Sequence, residues 1–197
     1  MPTRNLFVTP LYESELGNDA LLEELAHSIY SLAEDDVAGQ RWSEEKGYLG
    51  YTSYASLDDL PVRDPAFGDL KKLLQKHANA FAKELAWDLK PKLDSLWVNL
   101  MEPGAVHGAH IHPHSILSGT LYVDVPEGAG AIRFEDPRLP MMMAAPVRGE
   151  DAPVELRPFI EVAPVAGTIL LWESFLRHEV LPHRGTEERL SISFNFA

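Results

Sequence analysis

The residues most able to do chemistry are concentrated in one stretch, HGAHIHPHS, residues 107–115, which holds His107, His110, His112 and His114, four of the chain's eight histidines. There is no cysteine, so thiolate metal sites, disulfides and cysteine nucleophiles are excluded together. Any bound metal must be held by imidazole and carboxylate. In a β-strand, residues two apart project from the same face. His110 and His112 therefore qualify as a chelating pair, with Ile111 opposite. His114 shares their parity, but Pro113 ends regular pairing before it. His107 is out of phase by one unless a bulge intervenes. A pair alone does not separate a metal site from a polar, histidine-rich turn, so a third ligand has to come from elsewhere.

The C-terminal half offers His178 and His183. His178, in SFLRHEVLP, follows the apolar run GTILLW and can sit at an inner wall; its competing role is a structural histidine bonded within the sheet. His183 follows Pro182 in the turn PHRGTEE and reads as exposed. His77 falls in the apolar stripe of a helix and reads as packed. Eleven positions after His178 stands Arg189, close enough for the two to lie on neighbouring strands of one hairpin. A guanidinium beside a metal ligand suits fork-like binding of a carboxylate, and Ser191 adds a hydroxyl on the same face. The competing role of Arg189 is a surface ion pair.

These side chains need a scaffold. Residues 18–35 predict a helix capped by Asn18, with Leu22, Leu25, Ile29 and Leu32 on one stripe. Another begins at Asp64-Pro65, with Leu70, Leu74, Phe81 and Leu85 buried. NLFVTPLY near the start reads as a short strand. From Leu96 onward the runs LWVNLM, SGTLYVDV, AIRFED, RPFIEVAP, GTILLW, RHEVLP and RLSISFNF are β-like and split by Gly and Pro, as in an antiparallel sandwich or barrel. Helices first and strands afterwards, with no βαβ alternation, argue against a Rossmann-type sheet. In the last run Leu190, Ile192, Phe194 and Phe196 alternate with Arg189, Ser191, Ser193 and Asn195. That polar face is either solvated or turned into an enclosed site. Residues 137–158 form a long connection with five prolines and Met141, Met142 and Met143, either a lid or a surface excursion.

At 197 residues the chain predicts one domain, with 1–95 a helical N-terminal elaboration and 96–197 the β core. The net charge of -13 disfavours phosphate backbones and anionic lipid as partners. No apolar run approaches a membrane span and MPTRNLFVTP lacks a signal-peptide core, so the expected location is cytoplasmic. The oligomeric state has no sequence signal.

The ordered set His110-x-His112, His178 and Arg189-x-Ser191 resembles the iron(II)- and 2-oxoglutarate-dependent oxygenase superfamily. More narrowly, HIHPHSILSGTLYV, FEDPR, GTILLWESFLRHEV and ERLSISFN resemble a group of its members without assigned activity that carry a His-x-His-Pro-x-Ser segment. The likeness covers roughly residues 96–197. It implies a double-stranded β-helix (jelly roll), mainly β and flanked by N-terminal helices. It implies iron(II) on His110, His112 and His178, with no catalytic residue beyond these ligands. It also implies 2-oxoglutarate held by Arg189 and Ser191, with Tyr122 a further candidate, and Trp172 in the core. The implied reaction is hydroxylation of a small-molecule or peptide substrate with O2. One departure stands out: the superfamily's usual second ligand is a carboxylate, and here it is His112. Three imidazoles would also admit zinc or nickel, and Asp124 or Glu135 could restore a carboxylate from a neighbouring strand. Two rival readings are a cupin-like metalloprotein and a non-catalytic jelly-roll ligand-binding domain. Gly104 followed by His110-x-His112 starts a cupin motif, but Ile116 and Leu117 stand where its glutamate belongs.

Overall fold

In the computed structural model, which describes residues 3–197, the helices come first and lie on one side of a β-sandwich. Asn18 caps α1 (Asp19–Asp35), its side chain accepting from the Leu21 amide at 3.1 Å. Asp36 caps α2 (Val37–Lys46) through the Gly39 amide, and the short α3 (Leu60–Arg63) follows. Asp64 caps α4 (Pro65–Glu84), with the proline at its first position, as the sequence predicts.

The strands are β1 (Tyr12–Glu15), β2 (Gly50–Thr52), β3 (Leu93–Met101), β4 (His107–His110), β5 (Leu117–Asp124) and β6 (Ile132–Glu135), then β7 (Phe159–Val162), β8 (Thr168–Glu173), β9 (His178–Val180) and β10 (Arg189–Phe196). They form a six-stranded sheet, β1-β8-β5-β10-β3-β2, and a four-stranded sheet, β4-β9-β6-β7. The chain crosses repeatedly between the sheets, β8 to β9 to β10, which gives the jelly roll. All seven of the predicted β runs are strands. The expected strand at NLFVTPLY is displaced: pairing starts only at Tyr12, where the chain meets β8. Among the described residues, no helix is long and apolar enough to cross a membrane.

Alternation along the larger sheet divides its two faces. Leu96, Val98, Leu121, Ile169, Leu171, Leu190, Ile192 and Phe194 point outward and pack with Leu21, Leu25, Ile29, Phe67, Leu70, Leu74 and Phe81 of α1 and α4 into the main core. The opposite face looks at the smaller sheet. There Tyr122, Leu170 and Trp172 meet Ile132, Phe134 and Leu176 in a second, smaller cluster. Arg189, Ser191 and Asn195 also point this way and are buried. The polar face of the last strand is therefore turned inward, because a second sheet covers it.

One expectation is corrected. His178 and Arg189 are not on neighbouring strands of a hairpin. β9 lies between β4 and β6 in one sheet, and β10 between β5 and β3 in the other. The connection between them is tied down by backbone bonds from Leu181 to Ala131, from His183 to Ala105 and from Arg184 to Gly128, each 2.8–2.9 Å. The two residues thus face each other across the sandwich. The connection between β6 and β7 returns on itself, with the Asp136 amide donating to the Pro158 carbonyl at 2.8 Å. With residues 4–11 it walls a groove of about 420 Å³.

Candidate metal centre and its cavity

β4 and β9 pair so that His110 lies directly opposite His178, with a bulge between His107 and His110. The strand ends at His110, so His112 does not reach the site by strand parity. Instead its backbone amide donates to the Ser174 carbonyl at 3.2 Å, and this anchor turns the ring toward His178. The His112 and His178 rings are nearly parallel, at 7° and 5.2 Å between centroids, with their Nε2 atoms 3.3 Å apart. One ring nitrogen from each of His110, His112 and His178 lies within 4.8 Å of the others.

The surroundings fix the tautomers of two of these rings. Nδ1 of His178 lies 2.9 Å from the Leu176 carbonyl, and Nδ1 of His110 lies 2.7 Å from the Gly108 carbonyl. A carbonyl only accepts, so both Nδ1 atoms carry the proton and both Nε2 atoms present lone pairs. Burial holds two of the imidazoles neutral: it drives His178 down to about 3, and His112 down to about 4 with help from the neighbouring His110 and His107. Two nitrogens each ~2.1 Å from one divalent ion are separated by roughly 3.0–3.4 Å, from octahedral to tetrahedral angles. The 3.3 Å spacing of His112 and His178 fits that range. Oriented imidazoles converging at this spacing suit a first-row divalent ion.

The rings border a cavity of about 50 Å³ between the sheets, whose far wall carries Arg189, Ser191 and Tyr122. Arg189 is 2% exposed. Its guanidinium lies over the Tyr122 ring at 5.0 Å, its Nη1 donates to Met101 Sδ at 3.4 Å, and its Nε has no partner. Among the described residues no carboxylate pairs with it. The Tyr122 hydroxyl is likewise buried without a partner. A buried, unpaired guanidinium beside a free hydroxyl is a costly arrangement for the protein alone and a suitable receptor for a carboxylate.

The other candidates sort themselves clearly. Asp124 is exposed at the end of β5, and Glu135 pairs with Arg177 at 3.3 Å. Neither borders the cavity, and among the described residues no other carboxylate does. His107 stacks on His110 at 4.4 Å, which makes it a flanking residue, while His114 is exposed with φ 73°. His183, expected to be exposed, is only 1% exposed. Its Nε2 donates to the Glu187 carbonyl at 2.6 Å, and Nδ1 accepts from the Gly185 amide at 3.3 Å, so it braces the connection between β9 and β10. Trp172 belongs to the core and to the site, with its ring edge-on to His178 at 4.7 Å. Tyr48, Trp97 and Asn99 also border the cavity without having been singled out from sequence. Trp97 and Asn99 follow from inner-face parity on β3; Tyr48 sits in a turn and has no such signal.

Residues 95–195, just over half of the chain, match the family described as "Putative 2OG-Fe(II) oxygenase". No curated protein matches the chain in sequence. Among solved structures, a Pseudomonas putida prolyl-4-hydroxylase shares the fold at 20% identity, over 95% of this chain and 92% of that one, with a TM-score of 0.63. So does SnoN, a non-heme α-ketoglutarate-dependent epimerase of nogalamycin biosynthesis, at 16% identity over 95% and 78% of the two chains, TM-score 0.66. HygX from Streptomyces hygroscopicus, solved with nickel and 2-oxoglutarate bound, does so at 14% identity over 96% and 82%, TM-score 0.62. Together with a cavity that presents imidazoles on one wall and a guanidinium on the other, the family match identifies the chain as a member of the 2OG-Fe(II) oxygenases.

Proposed function

We propose that His110, His112 and His178 hold iron(II), that Arg189 with Ser191 and Tyr122 holds the far carboxylate of 2-oxoglutarate, and that the protein hydroxylates a small-molecule or peptide substrate in the cytoplasm. The observation that carries this reading is the opposition, across one cavity, of three converging imidazoles and a buried guanidinium with no carboxylate partner. Iron(II) with 2-oxoglutarate would supply the activation of dioxygen, the co-substrate leaving as succinate and CO2.

The chain's own part is positioning. The Leu176 and Gly108 carbonyls fix the rings of His178 and His110. Arg189 and Tyr122 orient the co-substrate from the opposite sheet, and Ser191 adds a hydroxyl on the same wall. Ile132 and Trp172 add apolar wall to the cavity. His112 in place of a carboxylate leaves the three-residue set neutral, one negative charge fewer than two histidines with a carboxylate, which weakens its discrimination among divalent ions. The net charge of -13 favours a substrate other than nucleic acid or an anionic lipid surface.

The test is anaerobic loading with iron(II), followed by 2-oxoglutarate and air, with succinate measured. Slow 2-oxoglutarate-dependent succinate formation is expected even without substrate, and its loss in His178→Ala. If the loaded wild-type protein neither binds 2-oxoglutarate nor forms succinate, the reading is wrong.

A further inference from the structure

Polar side chains on the inner face fall into two groups. Asn99 is satisfied by Thr52 and Ser193, at 2.9 and 3.0 Å, and Asn195 by Ser118 and Ser95, at 2.8 and 3.2 Å. Elsewhere on the cavity wall the opposite holds. Arg189 Nε, the Tyr122 hydroxyl and the Tyr48 hydroxyl are all buried without partners, as is Trp172 Nε1 on the His178 side, and all four residues border the same cavity. The Tyr48 ring stands edge-on to His107 at 6.5 Å, and its hydroxyl feels the charge of Arg189. Buried donors are seldom left unpaired, and a group of them around one cavity points to an acceptor from outside the chain. A carboxylate offers two oxygens with about four lone-pair positions, enough for Arg189, Tyr122 and Tyr48 together.

Tyr48 is fixed in place. Gly47 ends α2 in the left-handed region at φ 67°, and the Tyr48 amide then donates to the Ser43 carbonyl at 2.9 Å. The next carbonyl, of Leu49, accepts from the Glu102 amide at 3.2 Å. Gly50, at φ 112°, enters the sheet so close to the Leu100 carbonyl that a side chain there would collide with it. Two glycines and two backbone bonds therefore hold the tyrosine on the cavity. Burial raises the pKa of its hydroxyl, so it remains a donor.

We infer that Tyr48 is a co-substrate-binding residue, whose hydroxyl donates a hydrogen bond to the far carboxylate of 2-oxoglutarate beside Arg189. The inference rests on the function proposed above and extends the site to a residue outside the family-matched region 95–195. It makes the N-terminal segment a contributor to the binding site as well as a cover for the sheet.

The experiment compares wild type with Tyr48→Phe, both loaded with iron(II) under anaerobic conditions, by calorimetric titration with 2-oxoglutarate and with oxalate. Oxalate presents the chelating end alone and does not reach Arg189. One hydrogen bond to a charged group corresponds to roughly a 10- to 100-fold change in affinity, so Tyr48→Phe is expected to weaken 2-oxoglutarate by about that factor and leave oxalate unchanged. The metal-free variant is expected to melt no lower than wild type, since it loses a hydroxyl that had no partner. Undiminished 2-oxoglutarate affinity, or an equal loss for oxalate, overturns the inference alone. Absence of 2-oxoglutarate binding by the wild-type protein overturns the proposed function and this inference with it.

Discussion

His178 and His112 are kept neutral by burial at the cost of sensitivity to acid. A histidine in the unfolded chain titrates near 6.5, whereas in the fold His178 falls to about 3 and His112 to about 4. Below pH 6.5 the unfolded chain takes up protons that the folded chain refuses. Stability is therefore complete above pH 6.5 and drains away as the pH falls toward 4. Urea unfolding of the metal-free protein at pH 7 and pH 5 is expected to differ by about 2 kcal/mol for each of the two histidines. A His112→Gln, His178→Gln double variant is expected to flatten that dependence. At this scale the sequence was most informative where residue type alone carries the chemistry: without cysteine, the histidines were the obvious candidates to hold a metal. It was least informative where burial is decided by distant residues. His183 looked exposed beside Pro182, yet backbone groups on both sides enclose it. The inward turn of Arg189 depends on a second sheet that no local pattern announces.

Between residue and fold stand the elements that aim these side chains. Gly50 permits β2 to join the edge of β3, and the residues just before it carry Tyr48 to the cavity. Gly50→Ala would force a side chain into the left-handed region and against the Leu100 carbonyl. The backbone strain alone costs roughly 1–3 kcal/mol. The expected outcome is a lower urea midpoint together with weaker 2-oxoglutarate binding, whereas Gly149→Ala, in open space, changes neither. The long β runs and the long helices α1 and α4 were legible because they contain enough residues for a period to show, whereas the ten-residue α2 was not read. β2 and β4 are four residues or fewer and stand outside any longer apolar run, while the equally short β6, β7 and β9 lie within runs bounded by Gly and Pro that the sequence shows. The supposed hairpin from His178 to Arg189 failed for a different reason. Spacing along the chain sets how far a connection reaches and leaves open which sheet receives it.

For the molecule as a whole, ligands that bind only the folded state add to its stability. At 2-oxoglutarate and iron(II) concentrations 100-fold above their dissociation constants, each contributes about 2.7 kcal/mol, or a melting shift of roughly 5–10 °C for a chain of this size. Thermal melts with iron(II), with and without 2-oxoglutarate, are expected to show both increments. Arg189→Met should retain the first and lose most of the second. The larger sheet has a further consequence, for how the protein is made and handled. Its two edges are β1 and β2, both from the first 52 residues, and Tyr12 finds its partner Leu171 only 159 positions later. During synthesis β1 therefore waits, unpaired, until nearly the whole chain has emerged, and late closure of so distant a contact slows folding. A fragment cut to the family-matched region would leave β8 and β3 as bare edges and strip the helices from an apolar face, a surface built for self-association. For work in solution, the first 52 residues supply the two strands that cover β8 and β3.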